Sequence, residues 1–295
     1  MKISVIVPTY NKLPRLKLML CSIKLQKLPK ELYEVIIVDD GSMDGTDQYM
    51  QNIVKEFDLK YVRLKSNMGR SAARNTGIEI STGNVIVFTD DDCILAPDYL
   101  INLIKGYTEG VILHGAIFNL PYLKFFSDPE KGILYPEFSN HHIDNLYSKC
   151  ISEEDIVENF DKIKRMGKLS KFEKTVRQAI LDPEPVIPWI GFTGGNVAVD
   201  VKMFKEAGGF DEALGKEWGA EDIELGYRLY QKGASFQYNM ETSVYHMAHY
   251  RADSAQLSQK AIIYMSKKHK ELGRLNLYDN FFDGNFDYIQ FKERM

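Results

Sequence analysis

The strongest constraint on this chain is a set of short, wholly apolar runs that each stop on a polar or acidic cluster. Ile3–Val7 (ISVIV) runs into Pro8-Thr9-Tyr10-Asn11, Val35–Val38 (VIIV) into Asp39-Asp40-Gly41-Ser42, and Val85–Phe88 (VIVF) into Thr89-Asp90-Asp91-Asp92. Runs without polar alternation are what strands buried on both faces require, and such strands belong to parallel sheets. Between them, Leu13, Leu16, Leu20 and Ile23 recur at helical spacing, and Met50, Ile53, Val54 and Phe57 mark a second helix face. Tyr61–Leu64 reads as a further strand and Ser71–Ile80 as a small-residue helix. This alternation predicts an α/β fold with a Rossmann-like, mostly parallel central sheet flanked by helices. Ligands of such sheets bind beyond the carboxyl ends of the strands. The three polar clusters therefore define the active face.

Bulk properties narrow the partners. The 295 residues suit one large α/β domain, with or without a smaller attachment. A formal net charge of −4 and a pI near 5.9 exclude a polynucleotide as the expected partner but not a single nucleotide. Cys21, Cys93 and Cys150 share no ligand spacing, which predicts reduced thiols and a cytoplasmic protein. The N-terminal MKISVIVPTYNK is too short in its apolar part for a signal segment. No run approaches the roughly 18 apolar residues of a membrane span, so any membrane association would be peripheral, at the inner face.

The polar clusters carry recognisable chemistry. Adjacent carboxylates repel unless a cation or hydrogen-bond donors compensate them. Asp90-Asp91-Asp92 at a strand end suits a hard divalent ion, Mn²⁺ or Mg²⁺, bridging to phosphates; the plain alternative is a solvated acidic turn. Asp39 could accept a base N–H, and Gly41 lets a ligand approach the backbone. In Asn67-Met68-Gly69-Arg70-Ser71-Ala72-Ala73-Arg74-Asn75, small residues allow close helix–sheet packing. Arg70 or Arg74 could then face a diphosphate near the helix N-terminus, or simply be solvated.

Beyond residue 118 the pattern changes. Residues 119–188 hold an aromatic stretch from Tyr122 to Tyr147, a charged helical segment around Glu153–Lys174 and the Pro-rich run 182–188. They read as an insertion or lid. Residues 189–252 regain clear signals: a Gly-rich strand over Thr193–Val199, a helix and turn over Lys202–Phe210, and a helix beginning near Ala220. Residues 253–295 read as a terminal helix and a tail. The tail aromatics Phe281, Phe282, Phe286, Tyr288 and Phe291 suit packing back on the domain, a homodimer contact or a membrane contact.

In order and spacing, VIVPTYN, VDDGSMDGT, NMGRSAARNTGI and VFTDDD resemble the family 2 glycosyltransferases of the GT-A fold. The resemblance covers about the first 100 residues. It implies that Pro8, Tyr10 and Asp39 surround the base and ribose, that Asp90 faces the ribose or metal, and that Asp92 ligates the metal directly. Phe192-Thr193-Gly194-Gly195-Asn196-Val197-Ala198, Gly208-Gly209-Phe210-Asp211 and Trp218-Gly219-Ala220-Glu221-Asp222 resemble the acceptor half of the same enzymes. They look most like polypeptide GalNAc-transferases, β4-galactosyltransferases and chondroitin polymerases. That likeness implies an acceptor site at Trp218, Gly195 and Asn196, and one carboxylate acting as base. Asp222 is assigned that role and Glu221 acceptor orientation, although the two could exchange, or both could simply favour a helix N-terminus. It also implies a histidine completing the metal shell: His246, following a strand, with His249 as the rival. Cys93 departs from the acid that many relatives carry after the Asp-x-Asp.

The expected protein is an inverting, metal-dependent transferase of a hexose or N-acetylhexosamine. Its partners are a nucleotide-sugar, UDP before GDP or dTDP, and a glycan, lipid-linked, peptide or small-molecule acceptor. The alternatives are a nucleotidyltransferase acting on sugar phosphates and a non-catalytic sugar-nucleotide-binding protein. Pro8-Thr9-Tyr10-Asn11 stands where the former would carry a Gly-rich basic loop.

Overall fold

The computed structural model describes residues 1–139, 146–214, 219–250, 254–274 and 286–294. Its first part alternates as the apolar runs predict: β1 (Ile3–Thr9), α1 (Leu13–Lys24), β2 (Tyr33–Asp39), α2 (Thr46–Asn52), β3 (Asp58–Arg63), α3 (Arg70–Glu79) and β4 (Val85–Thr89). Next come β5 (Cys93–Leu95), α4 (Tyr99–Gly106), β6 (Val111–Leu120), β7 (Phe126–Asp128) and β8 (Ile133–Leu134). The middle segment continues with α5 (Glu153–Glu158), α6 (Phe160–Met166), β9 (Lys168–Leu169) and α7 (Lys171–Leu181). The remainder holds β10 (Asn196–Asp200), α8 (Val201–Glu206), α9 (Glu221–Gln231), β11 (Ser235–Met247), α10 (Ser254–Lys268), α11 (Lys270–Arg274) and a last helix, Tyr288–Glu293.

One large sheet runs in the order β3-β2-β1-β4-β10-β6-β11-β5, with β9 also against β6. Its first four strands are parallel. Strand β10 then lies antiparallel to both β4 and β6, while β11 is parallel to β6 and antiparallel to β5. The parallel character thus belongs to the N-terminal half, and the sheet is mixed beyond β4.

Every residue of β1, β2 and β4 is buried because both faces are covered. Alternate side chains divide between two layers, as the strand period of two requires. Val5, Val7, Val35 and Ile37 pack with Leu16 and Leu20 of α1, whereas Ile6, Ile36, Val38 and Phe88 pack with Ala73 and Ile78 of α3. Helix α3 comes close to the sheet because Gly77 lacks a side chain: a Cβ there would lie 2.6 Å from Ile6 Cγ2.

Three local expectations need correction. Helix α2 starts earlier than Met50 and ends at Asn52, because Asp44 accepts the Thr46 N–H and Oγ1–H and starts the helix there. Ile53 is already extended, Val54 is 73% exposed, and Phe57 reaches the core from the following loop. The charged segment Glu153–Lys174 is broken at Asn159 and Gly167 into α5, α6 and α7, with Ser152 and Ser170 capping α5 and α7. This middle segment is built into the fold rather than laid over it. Strand β9 pairs with β6, and Ile151, Ile156 and Ile163 share a core with Leu120 and Tyr245. The 118/119 division falls inside β6.

From the tail, Tyr288 and Phe291 are buried beside Trp189 and Tyr227, with Phe286 packed against them. Phe281, Phe282 and the pair His141-His142 lie outside the described residues. Among the described residues no helix is long and apolar enough to cross a membrane.

The tight α3–β1 approach gives a direct test. Gly77→Ala gains helix propensity of up to about 1 kcal/mol, but the overpacking against Ile6 costs about 1–3 kcal/mol. Urea denaturation should show a lower midpoint for the variant; an unchanged or higher midpoint would show that α3 can shift freely.

Candidate active site

The carboxyl ends of β1, β2 and β4 meet at one rim. Asn11, in a left-handed conformation (φ 52), ties β1 to the loop after β2: its N–H donates to Ser42 Oγ, and its Oδ1 accepts the Met43 N–H. Asp39 is buried, with Oδ1 accepting the Ser42 N–H at 2.8 Å and Oδ2 accepting the Tyr61 hydroxyl at 2.7 Å. Asp40 accepts the backbone N–H groups of Met68 and Gly69 and so positions the start of α3. Pro8 is buried within β1, while Tyr10 stands 40% exposed at the rim.

At the end of β4 the three acids part company. The chain turns with the Cys93 N–H on Asp90 O and re-enters the sheet at its far edge as β5. The β5–β11 register pairs Cys93 with His246, and the Met247 N–H donates to Asp92 O at 2.7 Å. This topology brings Asp92 to His246 Nε2 (3.6 Å) and His249 Nε2 (3.2 Å). Lys12 Nζ lies 2.6 Å from Asp92 Oδ2, 3.3 Å from Asp91 Oδ1 and 3.1 Å from His249 Nε2. Asp91 also accepts the Thr9 hydroxyl, and Asp90 pairs with Arg74 at 3.0 Å.

These partners set the charges. Burial opposes ionisation of Asp92, but Lys12 and the two imidazoles outweigh it and hold the group well below the usual carboxylate range. Burial pushes Asp91 up to about 6, with Lys12 opposing and Asp92 reinforcing the rise. For Asp90 burial is overcome by Arg74 and Arg70, and its pKa is lowered.

Asp92, His246 and His249 bring ligand atoms within 4.8 Å of one another. His246 and His249 thus stand together rather than as alternatives, and His246 lies within β11 rather than after it. Asn119 Oδ1 sits 3.0 Å from His246 Nδ1, which fixes the ring with Nε2 turned towards Asp92. One carboxylate and two imidazoles fit a divalent transition ion such as Mn²⁺ better than Mg²⁺, which prefers oxygen. The turn bearing the histidines is anchored by buried Arg15, whose guanidinium donates to Leu123 O, Phe126 O, Ser127 O, Met247 O and Ala248 O.

The second wall comes from the far half of the sheet. Asn196 pairs with Thr89, so Gly194 and Gly195 lie opposite the acid run. A Cβ on Gly194 would lie 2.1 Å from Arg74 Nη2, so only glycine admits that guanidinium. Arg74 is buried and bonds Glu221 at 3.1 Å; Arg70 reaches the same Glu221 oxygen at 3.3 Å. Glu221 is 2% exposed, and the two arginines lower its pKa against the effect of burial. Its neighbour differs. Asp222 accepts the Gly194 N–H on Oδ2 and the Ile223 N–H on Oδ1, and burial followed by the Glu221 charge raises it to about 6. Ala220, held at φ 68, is a strained residue just before this pair.

Arg70, Asp90, Asn119, Gly195, Asp222, His246 and His249 share a cavity of about 630 Å³. Asn196 does not face an acceptor there. Its side chain is buried and spent on Tyr99 Oη, Ala116 O and Thr242 O, because it bridges three strands at the sheet centre. Arg74 is likewise absorbed by Glu221 and Asp90 rather than left to face a diphosphate. Trp218 lies outside the described residues. Lys12, Asn119 and Arg15 are the site residues that sequence reasoning misses. A lysine just past β1, opposite three acids, was the available signal for the first; the other two had none.

Known proteins resemble the chain along most of its length. Residues 4–129 match the model for glycosyl transferase family 2, and residues 175–250 match one described as the N-terminal domain of galactosyltransferase. The chain is 28% identical to YfnE, an uncharacterized glycosyltransferase of Bacillus subtilis, over 94% of its own length and 73% of that protein. It is also 28% identical to the chondroitin synthase of Escherichia coli over 83% of its length, but spans only 34% of that enzyme. Among solved structures, GalNAc-T7 with UDP, GalNAc and Mn²⁺ aligns with a TM-score of 0.60 at 17% identity, covering 100% of this chain and 56% of that one. The fold is GT-A.

The Asn119–His246 contact makes a specific prediction. Asn119→Ala should weaken Mn²⁺ binding by about 10- to 100-fold, the usual cost of losing a partner that orients a ligand. Calorimetry with Mn²⁺ reads this directly, and equal affinities would show that Asn119 does not orient a ligand.

Proposed function

We propose that the chain is a family 2 glycosyltransferase, the family whose model matches residues 4–129, and that it transfers a hexose or N-acetylhexosamine from UDP to an acceptor hydroxyl with inversion. The glycosyltransferase matches favour this reading over the nucleotidyltransferase one. The observation that carries the proposal is that one cavity brings together the Asp92, His246 and His249 cluster and the elevated carboxyl of Asp222. UDP and Mn²⁺ are favoured because the GalNAc-T7 structure carries both, and because the donor set here contains two imidazoles.

In this reading Asp92, His246 and His249 hold Mn²⁺, which when bound supplies the positive charge that a departing diphosphate needs. Asp222 takes the proton of the acceptor hydroxyl as its oxygen bonds to the anomeric carbon, and the bond from that carbon to the UDP oxygen breaks. A single direct displacement inverts the centre. Glu221 is not the base: neutralised between Arg70 and Arg74, it has little tendency to take a proton. Its work is to hold Arg70 at the cavity wall. The Gly194 N–H fixes the direction of Asp222, and Asp90 keeps Arg74 in the packed position that Gly194 permits.

Three outcomes are expected. UDP titrated with Mn²⁺ should bind at least tenfold more tightly than UDP alone, and Asp92→Ala should abolish the difference; indifference to both would sink the metal assignment. Asp222→Asn should lower kcat by about 10²- to 10⁴-fold, the span of general-base catalysis, while UDP affinity stays within twofold. Because the base form of Asp222 fills as pH rises through about 6, kcat/KM should climb between pH 5 and 7 and then level. A flat profile over that range would exclude Asp222 as the base.

A further inference from the structure

A second buried pair of titratable groups lies behind the reaction cavity, and the mechanism above does not use it. His114, in β6, is wholly buried, and Glu173, in the first turn of α7, is 2% exposed. His114 Nε2 lies 3.1 Å from Glu173 Oε1, while its Nδ1 lies 2.8 Å from Gly191 O and 3.3 Å from Thr193 Oγ1. The Tyr238 hydroxyl of β11 donates to Glu173 Oε1 at 2.8 Å, and Ser170 Oγ accepts the Glu173 N–H at 3.0 Å. A carbonyl oxygen can only accept, so Nδ1 carries the proton of the Gly191 contact. The contact between Nε2 and the carboxylate holds a second proton, on nitrogen or on oxygen. At this depth an unmade hydrogen bond is costly, so the pair is a firm fixture. The matched regions end at residue 129 and resume at 175, so Glu173 lies in neither.

What the pair grips is the backbone that aims the base. Gly191 and Thr193 lie in the connection from α7 to β10 and lead straight into Gly194, whose N–H donates to Asp222 Oδ2 at 3.0 Å. We propose that His114 and Glu173 are positioning residues for the transfer: by holding the Gly191 carbonyl they set the Gly194 N–H against Asp222 and so orient the base. That N–H favours the ionised form of Asp222, as Arg74 does, against the burial and the Glu221 charge that raise it to about 6. The charged group beside the pair itself is Arg177, over the Tyr238 ring at 6.0 Å. With its shared proton on either partner, the pair has no net charge. It therefore acts on Asp222 through backbone geometry and not through its field. The inference rests on the reading of Asp222 as base and adds the device that aims it.

Carbon-13 NMR of protein labelled at the aspartate carboxyl carbons tests it without metal, donor or acceptor. The Asp222 resonance is the one that Asp222→Asn removes. In the unaltered protein it should titrate with a midpoint at about 6. Glu173→Ala frees the loop and should move that midpoint up by about one pH unit, the worth of one hydrogen bond to a charged group. Glu173→Gln should leave it in place, because the amide can donate to Nε2 while its oxygen accepts from Tyr238. If the alanine variant does not fold, Glu173→Asp, which withdraws the carboxylate by one methylene, should show the same rise. A merely structural pair would change the folded fraction and leave the midpoint alone. A midpoint unmoved in the folded variant, or raised as far in Glu173→Gln, would overturn the positioning inference alone. An Asp222 midpoint in the ordinary carboxylate range in the unaltered protein would overturn the base assignment, and this inference with it.

Discussion

Burying Asp92 as a carboxylate, 1% exposed at the centre of the rim, is the constraint on which the rest of the site depends. An ionised group at that depth is tolerable only with opposite charge and hydrogen bonds around it, and stripping a partner from such a group costs about 3–5 kcal/mol. Lys12, His246 and His249 supply the compensation, from elements separated by more than two hundred residues. The sheet topology makes this meeting possible. The chain leaves β4 in mid-sheet, passes through the acid run and rejoins at the edge as β5, so that β11 delivers its histidines against Asp92. Arg15 locks the turn between them through carbonyl oxygens alone.

The same economy governs the opposite wall. Glu221 and Asp222 are adjacent in sequence but are given opposite electrostatic tasks by what surrounds them. One is clamped by two arginines and held ionised. The other is raised by burial and by its neighbour's charge, which outweigh the backbone N–H groups it accepts. A pair of titratable groups driven apart in this way is how a fold assigns distinct chemical roles at one pH. The clamp also explains Gly194, where any side chain would collide with Arg74.

Much of this was legible in the residues because it follows from local pattern. The runs ISVIV, VIIV and VIVF are buried on both faces, and an apolar run ending on acids announces both the strand and the ligand-facing rim. What was not legible depends on long-range pairing. Asn196 sits in a motif that reads as acceptor-facing, but its side chain bridges Ala116 and Thr242, strands whose adjacency no local pattern reveals. Strand β6 carries polar His114 and Asn119 among its apolar residues, and both acquire meaning only beside Glu173 and His246. The Glu153–Lys174 segment has helical composition throughout, yet Gly167 and the Ser170 cap break it and bring the first turn of α7 to the cavity wall.

The central claim is that Asp92, His246 and His249 form a divalent-cation site that also meets the nucleotide diphosphate. Pulsed electron paramagnetic resonance of Mn²⁺ bound to the protein with UDP tests it most directly, because nuclei coupled to the ion identify its ligands. The account predicts nitrogen couplings from two imidazoles together with phosphorus coupling from UDP, and loss of one nitrogen coupling in each of His246→Ala and His249→Ala. A Mn²⁺ spectrum with oxygen ligands alone, unchanged by either substitution, would contradict it.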